Sequence, residues 1–291
     1  MPRLAEFRPR SVDAVLRVGV ATSWADGYHA LIATTWPRFV GVLVLGYATI
    51  NLVFALLYSI APNAVANNHA GSVVDDFFFS VQTLATIGYG IMYPQTLYGN
   101  VLVAIESTVG ILMLPVVTGL VFAKFARPSA RVVFSQRALI TTRDGVPSLV
   151  FRMANLRRNQ IVDARARVVL ARAETTPEGE RIRRIHDLPL VRSESPLFAL
   201  TWAAVHQITP ASPLAGATAA TLHEWNAEIV VSLVGIDETL SQTIHARWSY
   251  LPDEIVWGGR YADVLTDLPD GRRRVDYTRF HEIRLDAGGR E

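Results

Sequence analysis

The run Thr86-Ile87-Gly88-Tyr89-Gly90 sets a hydroxyl residue and two glycines at alternate positions. In that pattern main-chain oxygens, and not side chains, carry the chemistry. Gly88 and Gly90 reach backbone angles closed to residues with a Cβ, so successive carbonyls can all face one way instead of alternating. Copies of such a loop ringed about an axis would take the place of the water oxygens around a dehydrated K⁺. Thr86 adds a hydroxyl oxygen at the inner end, and the Tyr89 ring can wedge outward against neighbouring aromatics to hold the diameter. The expected K⁺ ligands are oxygens of Thr86, Ile87, Gly88 and Tyr89, with Gly90 completing the filter and no organic cofactor.

A loop of this kind needs elements to hold it. Irregular backbone at membrane depth is tolerated only where protein buries it or water reaches it. Val73 to Ala85, directly before the run, is about as long as a short re-entrant helix. On either side lie two apolar stretches, Arg38 to Ile60 and Val101 to Ala123, each sufficient for roughly 30 Å of hydrocarbon. No Lys or Arg occurs from Phe39 through Ala123, whereas Arg3, Arg8, Arg10, Arg17 and Arg38 precede the first span and Lys124, Arg127 and Arg131 follow the second. Both termini are therefore expected on the cytoplasmic side. A buried hairpin of soluble helices is the alternative, but its helices would show a charged face. The first residues, interrupted by arginines, do not read as a cleavable signal.

Three details of the membrane part leave alternatives open. Tyr28, Leu31, Ile32 and Trp36 recur at roughly helical spacing, fitting either a helix along the inner membrane surface or a linker with aromatic anchors, and Pro37 marks the bend into the bilayer. Glu106, an ionisable group at membrane depth, either hydrogen-bonds behind the filter or helps to attract ions. Gly110 and Pro115 weaken the second span and act either as a gating hinge or as a fixed kink.

The chain has 291 residues, a mean hydropathy of +0.24, a net charge of +2 and no cysteine. It is long enough for a membrane part and a soluble domain, too weakly charged to argue for nucleic acid, and without the means for disulfides or thiolate metal sites. Beyond Arg131 the pattern turns to short alternating runs, with strands expected at Ser148 to Met153, Gln160 to Leu170, Leu197 to Ile208, Glu228 to Ile236 and Thr243 to Tyr250. Asp163, Arg165 and Arg167 should share one solvated face, and a short helix is expected around Thr218 to Trp225. Such spacing suggests a β-sandwich. The seven histidines form no close ligand pair, and neither a nucleophile elbow nor a phosphate-binding glycine loop is present, so no enzyme is expected.

Several further runs carry a family resemblance: Gly119-Leu120-Val121-Phe122-Ala123-Lys124-Phe125-Ala126-Arg127-Pro128, Arg152-Met153-Ala154-Asn155-Leu156-Arg157, His186-Asp187-Leu188, Ser212-Pro213-Leu214, and Ala246 to Gly258. With the filter run, they make the chain resemble the prokaryotic inward-rectifier potassium channels (KirBac) from about Trp24 to near the C-terminus. The resemblance implies a homotetramer in a bacterial inner membrane. It implies an N-terminal segment and slide helix (1–36), a two-span pore domain with re-entrant pore helix (37–127), and a cytoplasmic immunoglobulin-like β-sandwich (128–291) that extends the conduction path. By the same resemblance Phe122 is the gate at the inner helix crossing. Lys124, Arg127 and Arg131 meet anionic lipid headgroups, with inhibition as the expected response, and Glu180 and Glu238 line the cytoplasmic pore. The basic cluster alone also fits simple topology retention. Three positions depart from the pattern. Gln82 stands where many relatives carry Glu, Ile91 where many carry Asp, and Leu114 where strong rectifiers carry an acid, so rectification should be weak. A non-conducting, membrane-anchored sensor derived from a channel is the alternative.

Overall fold

The computed structural model describes residues 24–69, 71–128 and 130–285, which fall into two compact units divided between Arg127 and Pro128. The membrane unit begins with α1 (Trp24–Ala33) and α2 (Trp36–Ile60). Thr35 sits in extended conformation between them and Pro37 opens α2, where its missing N–H is no loss. At 1.5 Å per residue, α2 is about 37 Å long. Its outward residues Val40, Val42, Val44, Leu45, Leu52, Val53 and Leu56 are all exposed. A helix this apolar and this bare needs lipid or other protein around it.

The loop after α2 forms β1 (Val65–Ala66), then α3 (Val73–Leu84), and returns through the filter to β2 (Tyr93–Pro94), which pairs antiparallel with β1. Ser72 caps α3 by accepting from the Asp75 amide at 3.2 Å, and Asp75 and Asp76 in its first turn suit the positive end of the helix dipole. α4 (Leu97–Phe125), capped by Thr96, is the second membrane-length helix and runs unbroken through Pro115. Phe54, Tyr58, Val65, Phe79 and Leu102 form the apolar core that joins these elements.

The second unit is a β-sandwich. One sheet has the order β11-β10-β6-β7, with β8 also on β6; the other has β12-β4-β5-β3, with β9 also on β5. The strands are β3 (Val132–Phe134), β4 (Ala138–Arg143), β5 (Val146–Asn155), β6 (Ile161–Thr175), β7 (Arg181–Asp187), β8 (Glu194–Phe198), β9 (Thr201–Gln207), β10 (Glu228–Asp237), β11 (Gln242–Tyr250) and β12 (Ile255–Trp257). Inward residues Leu149, Phe151 and Met153 of β5 meet Ala166, Val168 and Leu170 of β6 and Ile229, Val231 and Leu233 of β10 in one core. Asp163, Arg165 and Arg167 are exposed, as the alternation predicts, but Asp163 has φ +50° and the β6–β10 register shifts between Val234 and Ile236. This bulge lets Ile161 and Ala164 both point inward, closing on Gly235, where a Cβ would meet Ile161 Cγ2 at 2.5 Å. The expected short helix is α5 (Ala219–Glu224), capped by Thr218.

One expectation is corrected. Leu197 to Ile208 is not a single strand, because the chain leaves β8 at Ala199-Leu200 and crosses to the opposite sheet as β9. After β12 the chain wraps back over the second sheet through β13 (Arg260–Tyr261), β14 (Leu265–Asp267), β15 (Arg273–Val275) and β16 (Ile283–Arg284). Arg152 of β5 anchors this wrap. Its buried guanidinium donates to the carbonyls of Phe280 (2.7 Å), Ala262 (2.8 Å) and Arg279 (2.9 Å), and it lies between the Tyr261 and Phe280 rings. Burial lowers its pKa.

Candidate functional site

In the Thr86–Gly90 run, φ is +57° at Thr86, +58° at Gly88 and +82° at Gly90, with Ile87 and Tyr89 outside the left-handed region. Alternating handedness turns successive peptides so that their carbonyls face the same side of an extended run, where in a strand they alternate. The amides hold the opposite direction. Thr86 N donates to Thr83 O at 3.0 Å, Ile87 N to Gln82 O at 2.8 Å and Gly88 N to the same oxygen at 3.4 Å. The last turn of α3 thus collects the filter's N–H groups and leaves the carbonyls free. For a β-branched residue such as Thr86 the left-handed well costs about 1–2 kcal/mol, strain of the sort that collects at functional sites.

The far end of the run is fixed by residues the sequence does not advertise. Asn67, at φ +61°, donates its side-chain amide to Ile91 O at 2.8 Å, and Gln95 N donates to Ala64 O at 3.0 Å alongside the β1–β2 pairing. Asparagine tolerates this conformation and supplies the donor. Ile91, which cannot form a charge pair, is held by its main chain instead. The filter face itself is bare. Tyr89 is 70% exposed and has no ring contact among the described residues of its own chain.

Behind the filter, α2, α3 and α4 share a polar cluster. Glu106 is fully buried, with Tyr58 Oη donating to its Oε2 at 2.7 Å and Ser80 Oγ against its Oε1. Ser80 Oγ also lies 3.0 Å from Asn51 Oδ1, and Asn51 Nδ2 donates to Tyr47 O at 2.8 Å. Glu106 thus faces protein on every side and no open path.

Gly110 packs closely against α3. A Cβ there would collide with the Leu84 carbonyl, so this glycine is the point where α4 presses on the end of α3. Pro115, further along α4, removes one helical hydrogen bond. Below it, Phe122 projects from α4 and is 72% exposed.

Lys124 is only 8% exposed. Its ammonium donates to Thr34 O at 2.6 Å and Ile32 O at 3.2 Å, and lies 4.8 Å from the Phe39 ring centre and 5.3 Å from that of Trp36. The carbonyls belong to the end of α1, which favours a cation. Lys124 is thus occupied by its own chain, while Arg127 and Arg131 are exposed. Glu180 and Glu238, also exposed, do not come together. Glu180 closes the β6–β7 turn on Thr176, and Glu238 N donates to Gln160 O at the other end of β6. Along a strand of 15 residues that is roughly 45 Å, so within one subunit the two stand at opposite ends of β6.

Residues 39–127 match the family model described as "Ion channel", and residues 132–286 match "Inward rectifier potassium channel C-terminal domain". The chain is 44% identical over 271 residues to inward rectifier potassium channel Kirbac3.1 of Paramagnetospirillum magnetotacticum, covering 92% of both chains. It is 34% identical over 280 residues to G protein-activated inward rectifier potassium channel 3 of Mus musculus, covering 88% of this chain and 71% of that one. With channel 2 of the same organism it shares 37% over 218 residues, covering 72% of this chain and 51% of the relative.

Proposed function

Because the chain belongs to the inward-rectifier potassium channel family, we propose that four copies surround one axis and conduct K⁺ past the carbonyls of Thr86, Ile87, Gly88 and Tyr89 and the Thr86 hydroxyl. The observation that carries this is the alternation of backbone handedness through Thr86, Gly88 and Gly90, with the amides of Thr86, Ile87 and Gly88 bonded back to α3. Oxygens turned to one side, from identical subunits, replace a K⁺ hydration shell. The carbonyl end of α3 adds its partial negative charge where a cation would shed water. Tyr89, bare in one subunit, gains its packing partners from neighbouring copies.

Conduction is closed at Phe122. Large apolar side chains from several copies narrow the inner end of the path, and a dewetted constriction blocks ions without charge. The trigger acts on α4 near the inner membrane face, where Lys124 fastens it to the end of α1. Anionic lipid headgroups bind Arg127 and Arg131 and inhibit, each exposed basic group contributing about 1 kcal/mol near an anionic surface. Lys124 serves first as a strut between the two helices. Position 114 carries leucine and not an acid, and Glu106 is buried away from the path, so internal polycations find little to bind there and rectification is weak. The membrane is the inner membrane of a bacterium, with both chain ends on the cytoplasmic side.

Rubidium flux into liposomes containing the purified protein tests this reading. Flux that favours Rb⁺ over Na⁺ and is blocked by Ba²⁺ is expected. A tetramer that passes neither ion under any lipid composition would favour a sensor that no longer conducts.

A further inference from the structure

The cluster around Glu106 has a hydrogen count that decides its charge. Ser80 Oγ is within bonding distance of two acceptor oxygens, Asn51 Oδ1 and Glu106 Oε1, yet a hydroxyl owns one hydrogen. Asn51 cannot be turned round to donate to Ser80, because its Nδ2 is already committed to Tyr47 O and a flipped amide would set two oxygens 2.8 Å apart. Tyr58 already donates to the other carboxyl oxygen. An ionised Glu106 would therefore leave either Ser80 or Asn51 facing an oxygen with no hydrogen between them. It would also lack a counter-ion, since no Lys or Arg occurs from Phe39 through Ala123 and His69 is engaged by Asp75. Asp76, the other buried carboxyl among the described residues of this unit, is held by Asn68 Nδ2 at 2.9 Å and shares no hydrogen-bond partner with Glu106 among them.

We propose that Glu106 is a neutral carboxylic acid that donates to Ser80, the first link of a one-way chain of hydrogen bonds that positions the filter from behind. The order is Glu106 Oε1–H to Ser80 Oγ, Ser80 Oγ–H to Asn51 Oδ1, and Asn51 Nδ2–H to Tyr47 O, with Tyr58 Oη–H closing on Glu106 Oε2. Each of these four links then has one hydrogen and one acceptor, and the chain fastens α4 to α3 and α3 to α2. Ser80 lies two residues before Gln82, whose carbonyl receives the amides of Ile87 and Gly88, so the tie acts on the turn that sets the filter's handedness. Glu106 is a positioning residue and attracts no ions. This deepens the ion-pathway reading and rests on it for its effect on selectivity, but not for the protonation itself.

Two measurements on the full-length protein in liposomes separate these parts. In the infrared difference between wild type and Glu106→Gln at neutral pH, the carbonyl stretch of an un-ionised carboxylic acid should be present in wild type and absent in the variant. Glu106→Gln keeps the shape and the donor, so its Rb⁺ over Na⁺ ratio should stay within about twofold of wild type, while Glu106→Leu, which leaves Ser80 and Tyr58 unpaired, should lose about tenfold if it assembles. A carboxylate band in place of the acid band, or a Glu106→Gln tetramer that has lost discrimination, overturns the proposal. Should wild type itself fail to discriminate, the ion-pathway reading falls, and the infrared result still decides the state of Glu106.

Discussion

Gly88→Ala separates backbone handedness from packing. Gly88 has φ +58° and nothing of its own chain within 4 Å of where a Cβ would stand, so within the subunit the effect of the added methyl is conformational. An L-residue in the left-handed well costs about 1–2 kcal/mol, or about 4–8 kcal/mol over four identical subunits. Even the smaller figure shifts a two-state balance by roughly fivefold and the larger by about thirtyfold. In each subunit of the variant the adjoining peptide is therefore turned roughly fivefold to thirtyfold more often, and one oxygen leaves the path each time. Gly71 supplies the control, with φ +76° and equally clear surroundings but a place ahead of α3 and outside the filter. Both variants should assemble with similar strain. In rubidium and sodium flux from liposomes, Gly71→Ala should keep the wild-type ratio, and Gly88→Ala should lose about tenfold or more. A Gly88→Ala tetramer with unchanged discrimination would refute the carbonyl mechanism. Equal losses in both variants would show that strain anywhere in the loop suffices.

Phe122→Ala should raise basal flux, because the residue is bare on α4 near its inner end; unchanged or lower flux would remove it as the gate. Arg127→Gln together with Arg131→Gln should weaken inhibition by anionic lipid, by about 1 kcal/mol for each charge, as read by flux against the fraction of anionic lipid. A full response in the double variant counts against headgroup contact. His206 carries a pH dependence in the sandwich: Nδ1 donates to Pro189 O at 2.7 Å, Nε2 accepts from Ser212 at 2.8 Å, and burial lowers its pKa. A folded value below the unfolded one, about 6.5, means that stability is present above that pH and is lost as pH falls towards and through the lowered value. Hydrogen-exchange protection around Thr209 to Leu214, taken relative to the intrinsic exchange rate at each pH, should fall in mild acid, and His206→Gln should flatten that response.

The two long apolar helices, the short helix between them and the irregular turn at 86–90 were legible because each rests on a strong local constraint: uninterrupted apolar length, a stretch without Lys or Arg, and glycines at alternate positions. The handedness of Thr86 was not, since nothing about a β-branched residue announces φ +57°; it is imposed by the bonds back to Gln82 and Thr83. Gly110 read as a weak point in a helix, but a glycine chosen for flexibility and one chosen for close approach look alike until Leu84 is seen beside it. The crossing at Ala199-Leu200 also leaves no trace in the alternation. Phe198 and Trp202 are both buried, four residues apart and edge to face at 5.8 Å, so the period of two passes through the break unchanged. Asn67 and Lys124 depend on partners 24 and about 90 residues away, beyond any local pattern.

Arg152 makes the last part of the sandwich unit hard to remove. Its positive charge is lodged among main-chain oxygens contributed by residues 262, 279 and 280, and these oxygens stay put whatever side chains occupy those places. Substitutions along the wrap other than at Tyr261 and Phe280 therefore leave the mooring intact, whereas a stop codon ahead of Ala262 would strand a bare cation inside the protein. A shortened chain would suffer less from lost apolar contact than from that orphaned guanidinium, and changing Arg152 to Met in the same truncated protein should recover part of the damage.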